Sequence, residues 1–83
     1  METFEGLKLA YESGKKGGSM PTVFNAANEK AVAMFLDKKI KFLDIYEIIK
    51  ESMNNIKYID EPSIEQILNV EKETYEFIES RWK

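Results

Sequence analysis

The sequence contains no cysteine and no histidine. The first absence excludes disulfide staples, thiolate nucleophiles, zinc knuckles and iron–sulfur clusters. The second removes the commonest general base, the commonest metal ligand and the imidazole half of every Ser-His or Cys-His pair. Any catalysis would therefore fall to carboxylates. Proline occurs twice and glycine four times. No apolar run approaches the roughly 18 to 20 residues of a membrane span, and the acidic opening Met1-Glu2-Thr3 is unlike the basic start of a signal peptide. A net charge of -3 argues against an electrostatic grip on nucleic acid. A cytoplasmic protein with neither nucleic-acid nor membrane partners is the expectation.

What is present is an ordinary globular mixture: 83 residues, 43% hydrophobic and 33% charged, enough for one small core but not two. Residues 1–59 carry nine lysines against eight acidic groups, whereas residues 60–83 carry three basic and seven acidic groups, so the last third is the acidic part.

Phe4, Leu7 and Tyr11 stand at helical spacing in a first segment from Thr3, its N-cap, to Ser13, with Gly14 as the residue that ends it. Lys15-Lys16-Gly17-Gly18-Ser19 then reads as a loop. Two lysines among glycines raise the question of phosphate binding, but no strand precedes them and the spacing of a P-loop is missing. From Pro21 to Asp37 an alanine-rich stretch without a breaker predicts the longest helix. Its apolar residues, including Val23, Phe24, Ala27, Ala31, Val32, Met34, Phe35 and Leu36, sweep more than half of the circumference, as in a central helix. Asn25 and Asn28 fall inside that arc, with Glu29 at its edge. These three are the candidate site residues: two inward asparagines stapling a neighbouring loop, or a polar ligand cluster. Lys30 falls on the outer face.

Lys38-Lys39-Ile40-Lys41 forms a solvated corner whose cations suit a helix C-terminus. Ile45, Ile48, Ile49 and Met53 then mark an amphipathic helix from Leu43 to Met53. Asn54-Asn55 closes it, and Ile56, Tyr58 and Ile59 run extended to Pro62. Ser63 and Gln66 have the spacing of a capping box ahead of Ile64, Ile67 and Leu68. That stripe meets Glu71, which predicts a kink or a fresh start at Asn69 before Tyr75, Phe77, Ile78 and Trp82 resume it. Glu71, Glu73, Glu76 and Glu79 read as a solvated face rather than as catalytic carboxylates. No segment alternates like a strand. The fold class is all-α, a compact bundle or left-handed superhelix of four to five helices.

Gly17-Gly18-Ser19-Met20-Pro21, Asn25-Ala26-Ala27-Asn28-Glu29, Ala31-Val32 and Phe35-Leu36, followed by Ile40, Phe42, Asp44 and Ile45, resemble the C-terminal helical domain of the 1-deoxy-D-xylulose 5-phosphate reductoisomerases. Leu7-Lys8-Leu9-Ala10-Tyr11 and Ser63-Ile64-Glu65-Gln66-Ile67-Leu68 fit the same family in the same order, so the likeness covers essentially the whole chain. The resemblance implies a parent enzyme of non-mevalonate isoprenoid synthesis. That parent would reductively isomerise a sugar phosphate to 2-C-methyl-D-erythritol 4-phosphate with NADPH and Mg or Mn, as a homodimer. It also implies that the nucleotide-binding and catalytic domains, with their metal and phosphate ligands, precede this one. Residues 1–83 would then be a single helical domain with no catalytic, cofactor-binding or metal-binding residue of its own. Asn25, Asn28 and Glu29 would belong to its scaffold.

The expected function is thus that of a non-catalytic structural domain, packed on the upstream catalytic domain and inactive in isolation. An excised domain is expected over a stand-alone paralogue. A free-standing helical module that binds a partner protein through an apolar stripe is the alternative.

Overall fold

The computed structural model describes residues 2–82, with side chains from residue 6 onward. Among these residues there are four helices and no strand: α1 (Glu2–Lys16), α2 (Met20–Leu36), α3 (Asp44–Asn55) and α4 (Ile64–Arg81). The all-α expectation holds at the lower end of its helix count. The radius of gyration, 12.1 Å, matches the roughly 12 Å of a compact chain this long.

α2 is the centre, because α1, α3 and α4 all pack on it and its interface with α3 is the most extensive. Pro21 lies in its first turn, where a missing N–H costs nothing. Its buried positions Val23, Ala27, Ala31 and Met34 recur every three or four residues, and small alanines let neighbouring helices approach closely. Ile45, Ile48 and Ile49 of α3, Leu9 of α1 and Ile78 of α4 complete the main core. The helix ends on Lys38, whose φ of 63° is left-handed. Its N–H donates to the carbonyl of Phe35 at 3.0 Å and that of Lys39 to Met34 at 2.9 Å, the bond pair that closes helices on a left-handed residue. The lysine corner is therefore part of the helix stop. Beyond it, Phe42 stands edge-on to both Phe35 and Tyr46, at 5.6 and 5.8 Å between centroids, tying the end of α2 to the start of α3.

Three sequence expectations need correction. First, α1 turns Leu9 and Ser13 inward, whereas Leu7 and Tyr11 are 62% and 67% exposed. The stripe at helical spacing faces outward, with Phe4 and Thr3 outside the described side chains. Gly14 lies within α1, and Gly17, at φ 70°, ends it. Second, α4 runs unbroken through Asn69. Its core line is Val70, Thr74 and Ile78, at spacing i, i+4, i+8, so Glu71 sits beside the line and interrupts nothing. Thr74 is fully buried and donates its hydroxyl to the carbonyl of Val70 at 2.8 Å. Third, Ile64, Ile67 and Leu68 stay exposed, and the buried line of α4 begins only at Val70. The Ser63–Gln66 capping box is formed as expected, with bonds of 2.8 and 3.1 Å.

Contrary to the expectation of one core, a second small one of Met20, Val23 and Val70, with Ile56, Tyr58 and Ile59 against it, explains the extended run after α3. It is fastened to the glycine loop. Ser19, fully buried, donates its N–H to the carbonyl of Ile59 and accepts the N–H of Ile59 on Oγ, both at 2.8 Å. The Tyr58 hydroxyl donates to the carbonyl of Lys16 at 3.1 Å, and Lys16 Nζ lies 4.6 Å over the Tyr58 ring. Gly18, at φ 55°, leaves no room between these strands of chain: a Cβ there would stand 2.5 Å from the oxygen of Ile59 and 2.8 Å from that of Asp60.

Glycines 14 and 18 should therefore respond oppositely to one methyl group. Gly18→Ala combines a left-handed φ with a clash against carbonyls, and is expected to cost at least about 1 to 3 kcal/mol in urea unfolding. A Cβ at Gly14 meets nothing within 4 Å inside a helix, so Gly14→Ala is expected to gain up to about 1 kcal/mol. Equal effects of the two would show that the loop is not held as described.

Candidate functional site

The motif residues 25–29 lie on α2, with Ala26 and Ala27 buried and the three polar residues turned to solvent. Asn25, Asn28 and Glu29 are all exposed, in line with the half-exposed Val32 and with Leu36, which is 72% exposed. This corrects the inward placement of the asparagines. The wheel positions were right, but α1, α3 and α4 cover only part of the apolar arc: Val32 packs at the margin of the main core, and the part holding Asn25, Asn28 and Leu36 is exposed. Among the described residues neither asparagine side chain makes a hydrogen bond, so neither staples a described loop of this chain.

Glu29 is differently placed. It accepts the Tyr75 hydroxyl of α4 at 2.5 Å. This bond to a carboxylate, together with burial and the nearby Glu71, pushes the Tyr75 phenol up to about 12. Lys30 is also corrected: it leans toward α4 and is bonded to Glu79 at 2.8 Å, with 27% of its side chain exposed. Arg81 reaches Glu51 of α3 at 2.8 Å. Three polar clamps thus hold α4 against α2 and α3, joining residues 30 to 49 positions apart that no local pattern connects.

A cleft of 520 Å³, open to solvent, is lined by Lys30, Met34, Lys39, Glu79 and Trp82. Its two cations are engaged, Lys30 with Glu79 and Lys39 with Asp37 at 3.6 Å. Tyr75, bordering the adjoining hollow, keeps its proton far above neutral pH and is ill-matched to acid–base work there. Among the described residues no group of three or more carboxylates is placed to hold a metal ion. No helix among them is long and apolar enough to cross a membrane. What the arrangement offers is a surface of carboxamides and aliphatic groups, braced along one edge.

Comparison with known proteins shows the family of the chain. The family model of the DXP reductoisomerase C-terminal domain matches residues 1–77. The chain belongs to that family. Among curated relatives, the 1-deoxy-D-xylulose 5-phosphate reductoisomerase of Lachnospira eligens is 60% identical over 82 residues, covering 99% of this chain and 22% of its own length. The enzymes of the same name from Agathobacter rectalis and Clostridium novyi are 50% and 51% identical, over 99% and 98% of this chain and 22% and 21% of their own. This chain of the reductoisomerase family therefore spans about a fifth of the length of the relatives it matches. No solved structure matches it significantly.

Substitutions at Asn28 and Lys30 should reverse the order that the sequence pattern implied. Asn28→Ala removes no bond within the domain and should leave the melting temperature within a degree or two, as surface changes do. Lys30→Ala removes the bond to Glu79 and a half-buried aliphatic stem, and should cost on the order of 1 kcal/mol. Thermal unfolding followed by circular dichroism decides between them.

The Tyr75 phenol gives a second check. Because its pKa is raised from 10.0 to about 12 in the folded chain, the stability it lends is whole below pH 10.0 and drains away as pH rises toward 12. Between those limits wild type should lose stability more steeply than Tyr75→Phe, and the variant should lack the tyrosinate step near 12. Parallel curves for the two proteins would exclude the Glu29 bond.

Proposed function

We propose that this chain acts as the non-catalytic C-terminal structural domain of a 1-deoxy-D-xylulose 5-phosphate reductoisomerase. The observation that carries the reading is the family match over residues 1–77, in a chain that accounts for about a fifth of its relatives. The parent reaction is the reductive isomerisation of 1-deoxy-D-xylulose 5-phosphate to 2-C-methyl-D-erythritol 4-phosphate, a cytoplasmic step of isoprenoid biosynthesis. NADPH and Mg or Mn are bound by upstream domains, and the enzyme works as a homodimer. Residues 1–83 form one domain of it, with Asn25, Asn28 and Glu29 as structural rather than catalytic positions. Its contribution is preorganisation, since an active site keeps its geometry only when the elements behind it are rigid. A braced four-helix body is suited to that task. A second reading, a free-standing interaction module, draws on the exposure of Leu7, Tyr11 and Leu36.

The two readings separate in a chimera in which this chain replaces the matching last fifth of the Lachnospira eligens enzyme. The isolated chain should melt cooperatively as a helical protein, yet give no substrate-dependent oxidation of NADPH. The chimera should restore turnover that a truncated enzyme lacks. Activity of the isolated chain, or a chimera no better than the truncated enzyme, would overturn the proposal.

A further inference from the structure

α2 is the most apolar of the four helices and the least one-sided. Helices of that kind are surrounded on every side in folded proteins. Here α3, α1 and α4 surround only part of it. The exposed side carries Asn25, Asn28 and Leu36 along roughly 16 Å of helix, with the partly buried Val32 between them at the margin of the main core. That length suits a helix-sized contact rather than a small-molecule site. The two carboxamides make no hydrogen bond among the described residues, and each offers two donors and an acceptor. Such groups serve a partner that presents backbone N–H and C=O groups at a loop or helix end, while Leu36 and Val32 supply the apolar part. One edge of the seam is already fixed by the Glu29–Tyr75 and Lys30–Glu79 bonds, so little order remains to be gained on contact.

We propose that this outer face of α2 is the seat of the preceding, catalytic part of a longer reductoisomerase chain, with Asn25 and Asn28 bonding its backbone and Leu36 entering an apolar recess. The occupant is argued from length: nearly four-fifths of the matched Lachnospira eligens enzyme lies outside the stretch that this chain matches, and the family model describes that stretch as C-terminal. The inference rests on the reading of the chain as a reductoisomerase domain, and names the face through which that domain joins the rest.

The absence of cysteine makes the face testable by thiol labelling, because an introduced cysteine is the only one in the domain. Asn28→Cys, Leu36→Cys and, as a control on exposed α4, Lys72→Cys are labelled in the isolated chain and in the chimera with the Lachnospira eligens enzyme, each site read by peptide mass spectrometry. In the isolated chain all three should react at similar rates. In the active chimera the two α2 positions should slow by about tenfold or more, with Lys72→Cys unchanged. An active chimera in which the α2 positions react as fast as before, or all three sites are protected alike, overturns the inference and leaves the domain reading standing. An inactive chimera overturns both. Protection in the isolated chain itself would assign the face to a second copy, and also overturns it. Leu36→Lys gives an independent measure: it should leave the isolated chain's melting temperature unchanged but lower the chimera's activity and melting temperature, and no loss in the chimera would count against the docking face.

Discussion

Two hydrogen bonds between Ser19 and Ile59 set the geometry on which the rest of the molecule depends. They are possible only because Gly18 lets one backbone lie directly against another. With α2 fixed at its start, Pro21 opens the helix, Val23 meets Val70 in the second core, and the segment leading to the α4 capping box is placed. The paired glycines thus allow a close approach of backbones within the domain. Their lysine neighbour contributes as well, since Lys16 covers the Tyr58 ring.

α2 is also where scaffold and surface meet. Its inner line of Val23, Ala27, Ala31 and Met34 is ordinary core, and its α4-facing edge is held by polar clamps. The third side turns Asn25, Asn28 and Leu36 to solvent.

What could be read from the sequence followed local physics. The Pro21 start, the Ser63–Gln66 box and the Ile45–Ile48–Ile49 stripe each depend on residues within one or two turns, and each is present. Periodicity misled where an apolar stripe has no partner in this chain. Leu7 and Tyr11 show helical spacing as cleanly as any core line, while the true inner face of α1, Leu9 and Ser13, is masked by a serine that bonds its own helix at Ala10. The same ambiguity sent Asn28 inward. A wheel gives the angle of a residue but not how many neighbours the helix has. The Glu29–Tyr75, Lys30–Glu79 and Ser19–Ile59 pairs were invisible for another reason, since each joins segments 40 or more residues apart whose docking only tertiary structure defines.

The Ser19–Ile59 junction has a mechanical consequence. It closes a ring of chain that contains all of α2 and α3, the pair with the largest shared interface. α1 enters this ring at one end of the junction and α4 leaves at the other, so both lie outside it as flaps. Either flap can lift without opening the ring, whereas separating α2 from α3 must break their interface and the knot of backbone at Gly18 together. Force or torque applied to the outer face of α2 is therefore borne by a closed loop, and the helices outside it can yield first.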